Sequence, residues 1–357
     1  MHLPLFNSIK SSENNKFWDE LIVYNSYKNM FNKLSPLPIH NVNHRRLLIF
    51  AMFWFFSGAW IDSSAHTYLL DDIETFFTPW HAVLYSGYAF SVFVALYIKN
   101  SMKDYKFDVG VLGAVIFGIG GASDAIWHTL LGIEVGVEPL ITPSHLMLFL
   151  GSFLMLDYVF TTRPSKEKLD SAAIFSAATS YALVMFITSF LNPVIRIGSF
   201  YSKESYLEAL SGGAVIFQSM LASIVFVYLI RFKASPKQIG FVYFLSFFYI
   251  SINTSMFDLG WMGLIIGFGG LFALLMYRVT TWYYKTDHDR KIQVSAALTA
   301  SVYGLVFVLY FLTFSFINGY EVPWRFYGLG GLITTPLLLG YMVGNLGVSP
   351  STGEVVE

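Results

Sequence analysis

The chain alternates between long apolar runs and short polar breaks that hold most of its lysines and arginines. About ten of these runs are long enough for a helix to cross the hydrocarbon core of a bilayer, and few of their residues are charged. The predicted spans are roughly Leu47–Leu70, Pro79–Ile98, Val109–Leu131, Pro143–Phe160, Ala172–Leu191, Ala214–Ile230, Ile239–Phe257, Gly260–Met276, Val294–Phe316 and Tyr327–Leu346. The pattern therefore predicts an all-α, polytopic membrane protein with about ten transmembrane helices.

The composition supports this prediction. Of the 357 residues, 55% are hydrophobic and only 13% are charged, whereas a soluble domain carries about 25% charged residues. So few charges would not cover a water-facing surface, which argues against a soluble domain of any size. The expected surroundings are a lipid bilayer, and nucleic acid is not expected as a partner. The absence of cysteine excludes disulfides, thiolate metal sites and cysteine nucleophiles.

The positive charges of the loops predict an orientation in the membrane. Clusters that would fall on one side of ten spans are Arg45–Arg46, Lys99/Lys103/Lys106, Arg163/Lys166/Lys168, Arg231/Lys233/Lys237 and Lys285/Arg290/Lys291. The opposite loops carry only Arg196, Lys203 and Arg325. Because cytoplasmic loops are enriched in lysine and arginine, we expect a multi-pass protein of the cell membrane with both termini in the cytoplasm.

The chain is expected to have four parts. Residues 1–43 form a cytoplasmic segment in which apolar residues recur at helical spacing between Phe17 and Phe31, typical of an interfacial helix. Residues 44–162 form a four-helix half and residues 163–348 a six-helix half. Residues 349–357 form a cytoplasmic tail.

A tandem repeat of polar residues lies between Gly58 and Gly151. Both copies follow one template: Asp-x3-His, a short loop, Glu-x3-Thr-Pro-x-His, and a glycine six residues later. The aligned pairs are Asp62 with Asp124, His66 with His128, Glu74 with Glu138, His81 with His145, and Gly87 with Gly151. Repeated polar residues in so apolar a chain are difficult to attribute to composition, and they predict a tandem-duplicated helical hairpin.

The spacing within the template predicts that three side chains of each copy converge. Asp and His four residues apart share one face of a helix. Thr-Pro is typical of a helix start, with the threonine as N-cap, so the second histidine falls at the third position of the returning helix. A carboxylate and two imidazoles with open positions suit copper, iron or zinc. The predicted metal ligands are Asp62, His66, His81, Asp124, His128 and His145.

Two glutamates of the template lie in the loops that join the helices. Glu74 and Glu138 are candidate additional ligands, hydrogen-bond partners of the histidines, or proton carriers. The sequence does not choose among these roles, and it identifies no catalytic residue.

Other interpretations of the same residues remain open. A single histidine in a membrane helix is usually a hydrogen-bonding contact between helices, and it is the repetition of the whole set that favours metal. A proton- or cation-coupled transporter or channel would also use intramembrane Asp, Glu and His. Transporter sites usually lie near the midplane on broken helices, whereas this cluster is predicted near the outer face of the membrane, at one end of intact helices. Binding of a b-type haem is a further alternative, because four of the histidines fall in four predicted helices. Haem normally needs histidine pairs that face each other across a bundle, without an aspartate one turn away, so the Asp-x3-His pairing argues against it.

The first copy of the template resembles a motif of a known family. Asp62-x3-His66 followed by His81 is similar to the metal-site motif in the C subunit of copper membrane monooxygenases, which oxidise methane or ammonia. That subunit also carries a second, related triad, which has Asn in place of the aspartate. In this chain the corresponding triad is Asp124, His128 and His145.

The resemblance covers about residues 58–151 and leaves the six later spans without a counterpart. It implies copper as the cofactor, a small-molecule substrate, a monooxygenase-like oxidation and association with other membrane subunits. From the donor atoms alone, iron and zinc stay open as alternatives. An accessory membrane subunit that uses metal only for assembly also stays open.

Overall fold

The protein is a bundle of α-helices. A computed structural model describes residues 33–69, 78–132, 138–255 and 259–348. In these ranges the α-helices are α1 (Val42–Tyr68), α2 (Pro79–Met102), α3 (Val109–Leu131), α4 (Pro143–Thr161), α5 (Ser171–Ile187), α6 (Ser205–Arg231), α7 (Pro236–Ser255), α8 (Leu259–Lys285), α9 (Lys291–Asn318) and α10 (Phe326–Leu346). Three short 3-10 helices lie in the connections, at Glu138–Leu140, Ser189–Leu191 and Ile197–Tyr201.

Eight of the helices are long and apolar enough to cross a membrane. The other two are α5, a 17-residue apolar helix, and α7, which has 20 residues. Large apolar side chains cover much of the outside, and Leu130 and Phe93, for example, are 75% and 63% exposed. A surface of this kind is suited to lipid, and the predicted all-α polytopic membrane fold is confirmed.

Some helix ends lie where the sequence predicts them and others do not. The α3 helix has the predicted bounds, and Asp108 caps it by accepting hydrogen bonds from two backbone N–H groups. In contrast, α6 begins at Ser205, well before the predicted start at Ala214, and α8 continues to Lys285 beyond the predicted end at Met276. Hydropathy marks only the lipid-solvated part of a helix, so polar turns that extend beyond it are missed.

The four-helix half consists of two closely packed hairpins, α1–α2 and α3–α4. A Cβ atom at Gly87 would lie 2.6 Å from Cα of Phe55 on α1, and a Cβ atom at Gly151 would lie 2.6 Å from the backbone nitrogen of Phe117 on α3. The two glycines hold equivalent positions in the template, and each lets two helix backbones touch. The structure therefore has two helical hairpins with a close glycine contact at the same template position, and their origin by tandem duplication stays a prediction.

The six later helices support this half. The α7–α8 and α9–α10 pairs form further hairpins, and α6 packs against α9 and α10. The α1 helix contacts α5 and α7 as well as its hairpin partner α2, so α1 joins the first hairpin to the later half. Most of the buried apolar side chains form one continuous core that runs through both halves.

A partly buried ion pair lies at the end of the bundle where α1 begins. The Arg45 guanidinium donates hydrogen bonds of 2.7 Å to both carboxylate oxygens of Asp170, and two more to the Val159 carbonyl and the Thr162 hydroxyl. These bonds tie α1 to the end of α4 and the start of α5. The predicted interfacial helix, Glu74 and the C-terminal tail lie outside the described residues.

Candidate metal centre

The first hairpin brings Asp62, His66 and His81 together at the end of α1 and the start of α2. The Oδ2 atom of Asp62 is 3.9 Å from Nε2 of His66, one turn along α1. Its Oδ1 atom is 3.5 Å from Nε2 of His81, the third residue of α2. One potential ligand atom from each side chain lies within 4.8 Å of the others, a geometry that could hold a metal ion.

The second hairpin forms the equivalent cluster. The Oδ2 atom of Asp124 is 3.4 Å from Nε2 of His128, and its Oδ1 atom is 3.5 Å from Nδ1 of His145. Potential ligand atoms of these three residues also lie within 4.8 Å of one another. The structure thus brings together each set of three residues that the sequence singles out; that they bind a metal stays a prediction.

The threonine of each Thr-Pro pair contacts the histidine three residues after it. Thr78 caps α2 by accepting a hydrogen bond from the His81 backbone N–H, and its Oγ1 atom also lies 3.2 Å from Nδ1 of His81. Thr142 makes no side-chain cap bond, but its Oγ1 atom lies 2.8 Å from Nδ1 of His145. The sequence predicts these threonines only as helix caps. The Thr-x2-His spacing is the signal that also places each hydroxyl beside an imidazole ring.

The two triads adjoin each other and form one cluster. The rings of His66 and His128 stack across the hairpins, with centroids 5.8 Å apart and an interplanar angle of 23°. His81 also lies near both of these rings, at 5.3 Å and 6.4 Å respectively. The side chains of four α-helices therefore line one polar centre.

Both aspartates of the cluster are largely buried. Their side chains are 13% exposed at Asp62 and 4% exposed at Asp124. The Oδ1 atom of each is buried and accepts no hydrogen bond within the described part of the chain. A buried carboxylate is costly unless a cation or hydrogen-bond donors compensate it. This demand is what a metal ion coordinated by the same oxygens would satisfy.

A cavity of about 430 Å³ opens on both triads. Besides the six predicted ligands, its wall includes the aromatic residues Phe56, Trp60, Tyr85, Phe117, Phe149 and Phe186. On another side it reaches Ser63, whose hydroxyl is 2.8 Å from Oδ1 of Asn253 on α7, and the exposed Arg196. Cavities of this size and lining commonly accommodate small molecules.

The side chains of the two template glutamates, Glu74 and Glu138, lie outside what the structure describes. Glu74 lies outside the described residues, and of Glu138 only the backbone is described, as the first residue of a 3-10 helix. Their roles as ligands, hydrogen-bond partners or proton carriers stay predictions.

Comparisons with protein-family models, with curated proteins and with solved structures gave no match to this chain. The resemblance of the template to copper membrane monooxygenases therefore stays an expectation from the motif. The structure shows a helical membrane protein with two adjacent Asp-His-His clusters that could bind metal.

Proposed function

We propose that this membrane protein holds a metal ion at each Asp-His-His triad. The observation that carries the proposal is the convergence of two carboxylates with four imidazoles while Oδ1 of Asp62 and of Asp124 accepts no hydrogen bond from a described residue. A purely structural polar network inside a bundle would be expected to satisfy such oxygens with donors. Metal coordination gives the oxygens a partner that proximity to imidazole alone does not.

We propose copper as the metal and oxidation of a small molecule as the reaction. Two nitrogen donors and one oxygen donor with open positions suit copper, and the motif resemblance favours it over iron or zinc. Copper in such a site would supply one-electron redox chemistry and an open position for a small molecule. The cavity beside the triads provides access for that molecule.

Different residues of the chain would then have different roles at the metal site. Asp62 and Asp124 balance the charge of the ions, and the imidazoles supply neutral nitrogen donors. Thr78 and Thr142 contact two of the rings at Nδ1, so Nε2 of each of these rings would be the nitrogen that binds the ion. Aromatic side chains such as Phe149 keep much of the cavity wall apolar.

A proton or cation pathway is the competing function, because it would use the same ionisable residues. Next to the triads, the described wall includes Phe56, Leu84 and Phe117. Beyond the triads, towards the end of the bundle that holds Arg45 and Lys99, the described wall has no Asp, Glu, His, Lys or Arg. A wall without charged residues on that side of the triads favours an ion that stays bound over an ion that passes through the protein.

Electron paramagnetic resonance of the copper-loaded protein tests the proposed metal and its donors. We expect a Cu(II) signal with nitrogen hyperfine structure from imidazole, and we expect it to change when His66→Ala or His128→Ala removes one donor. In parallel, proteoliposomes should show no copper or proton flux that depends on Asp62. A flux abolished by Asp62→Asn, without stable Cu(II) binding, would favour the transporter instead.

A further inference from the structure

Two polar residues of the cavity wall belong to neither triad and come from the later half of the chain. Asn253 lies near the end of α7, and Arg196 lies in the connection between α5 and α6. Arg196 is the only lysine or arginine that the described residues contribute to this wall. The two residues therefore bring hydrogen-bond donors to the same cavity as the candidate metal ligands.

The side chain of Asn253 is held beside the first triad. The hydroxyl of Ser63, the residue after Asp62, donates a 2.8 Å hydrogen bond to Oδ1 of Asn253. Asn253 is only 6% exposed, yet its Nδ2 atom makes no hydrogen bond to a described residue and is not fully enclosed by protein. Because the cavity is the open space that this residue lines, the amide N–H groups are available to a molecule bound there.

The second hairpin shows that the helix itself does not require this serine. Ala125 takes the equivalent position in the second copy of the template. In both hairpins the carbonyl of this residue accepts a hydrogen bond from the threonine hydroxyl four residues later, at 3.0 Å for Ser63 and 2.7 Å for Ala125. The two helices are thus alike here, and the serine hydroxyl differs by its contact with the amide of Asn253.

Arg196 belongs to a part of the wall that buried amide side chains hold in place. Its backbone N–H donates a 2.9 Å hydrogen bond to the Asn192 carbonyl, and Oδ1 of Asn192 accepts bonds from the backbone N–H groups two and three residues later. The buried Gln218 of α6 donates to the Leu191 carbonyl. The guanidinium itself makes no ion pair or hydrogen bond with a described residue, so this cation is available to a ligand.

The remainder of the wall indicates which molecules the cavity suits. Aromatic rings such as those of Trp60 and Phe149 make much of it apolar. Asp62 and Asp124 contribute two negative charges, and a divalent ion at each triad would contribute four positive charges. The loaded cavity would therefore be positively charged even without Arg196, which adds one more positive charge. Such a wall complements a small anion with an apolar body.

We propose that the cavity binds a small organic acid with an apolar body, whose carboxylate pairs with Arg196 and which accepts a hydrogen bond from the Asn253 amide. Arginine suits this role because its planar guanidinium binds a carboxylate through two parallel hydrogen bonds. The inference deepens the proposed function and rests on it, since it names the class of small molecule that reaches the metal centre.

Benzoate binding to the Cu(II)-loaded protein, measured by calorimetry in a neutral detergent, tests the proposal. Benzamide is the matched neutral probe, because it has nearly the same shape without the charge. The parent should prefer benzoate. A hydrogen bond to a charged group corresponds to a roughly tenfold to hundredfold difference in affinity, so Arg196→Met should remove most of this preference. Asn253→Asp keeps the acceptor for Ser63 but replaces the donors by a negative charge, and it should weaken benzoate binding about tenfold or more.

Two control variants carry matched changes outside the described cavity wall. Lys203→Met removes an exposed lysine from the same connection, and Asn318→Asp adds a carboxylate at the exposed end of α9. Both should leave benzoate affinity unchanged. Copper content should equal that of the parent in all four variants, because none of the altered residues belongs to a triad.

The outcomes separate the acid site from the metal centre. A copper-loaded parent that binds benzoate no better than benzamide overturns the acid site and leaves the metal centre standing, as does equal benzoate affinity in Arg196→Met and Lys203→Met. If Arg196 instead binds lipid phosphate, phosphatidylglycerol should bind the parent more tightly than Arg196→Met while benzoate affinity stays the same, which also overturns the acid site. A parent without copper overturns the metal centre, and a benzoate preference that Arg196→Met abolishes in that metal-free protein still supports the acid site.

Discussion

His66 and His128 come from different hairpins and stack with their ring centroids 5.8 Å apart. Further from the triads, Phe55 of α1 meets Phe117 of α3 edge to face at 4.9 Å. The two hairpins thus meet through side chains that converge between them. Each hairpin supplies a complete Asp-His-His set, and their packing makes the two sets neighbours in one cavity.

The threonines before the two histidines should affect metal binding alike and stability differently. Thr78→Val removes both a contact with the His81 ring and the helix cap, whereas Thr142→Val removes only the contact with the His145 ring. Loss of an outer hydrogen-bond partner typically weakens metal binding about 10–100-fold, and loss of a cap costs about 1 kcal/mol. Metal titration and thermal unfolding of both variants measure the two effects separately. Equal metal affinity in the parent and both variants would show that the hydroxyls do not orient the rings.

The hairpin glycines should tolerate no side chain. Gly87→Ala and Gly151→Ala each place a methyl group within 2.6 Å of backbone atoms of the paired helix. Overpacking of this kind costs roughly 1–3 kcal/mol, so the thermal unfolding temperature in detergent should fall. Gly267→Ala on α8 is the matched control, because no atom lies within 4 Å of its added Cβ. An equal change in all three variants would contradict the close backbone contacts.

Local sequence signals predicted the parts of this structure that depend on local geometry. The Thr-Pro pairs gave the starts of α2 and α4, and the Asp-x3-His spacing gave the shared helix face. The rotation of one hairpin against the other depends on distant contacts, such as that of Tyr85 with Gly121. For this reason the sequence alone leaves open whether the two triads lie next to each other.

The ion pair between Arg45 and Asp170 should support the fold except in acid. Burial raises the pKa of the Asp170 carboxyl, but the hydrogen bonds and charge of Arg45 outweigh this and hold the pKa below its ordinary value. The folded protein therefore stabilises the ionised form of this carboxyl relative to the protonated form. Its contribution is fully present above the pKa of the unfolded chain, about 4, and is lost as the pH falls through the lower folded pKa.

Substitutions at this pair test that account. Because Arg45 is only 3% exposed, Asp170→Asn leaves a buried guanidinium without its counter-ion and should cost about 3 kcal/mol near neutral pH. Arg46→Met at the exposed neighbouring position is the control and should change little. Thermal unfolding from pH 3 to pH 8 gives the comparison. Below pH 4 the parent should approach the variant, and a constant gap at every pH would contradict the linkage.

The orientation predicted from loop charge can be tested in a chain that has no native cysteine. Lys203 is an exposed loop residue and Lys237 an exposed residue in the first turn of α7, and the two are predicted on opposite sides of the membrane. In intact cells, a membrane-impermeant thiol reagent should label Lys203→Cys and should reach Lys237→Cys only after permeabilisation. Labelling of Lys237→Cys in intact cells would reverse the orientation and place the triads on the cytoplasmic side.

The measurement that bears most directly on the metal centre is metal content per chain, determined with thermal stability on the same samples. We compare the parent under copper-replete conditions with Asp62→Asn, Asp124→Asn and the double variant. The account predicts two copper ions per chain in the parent, about one in each single variant and almost none in the double variant. Folding should be nearly intact, because each amide removes a buried charge while it keeps the shape of the side chain. A parent without metal, or a double variant that retains the parent's metal content, would contradict the central claim.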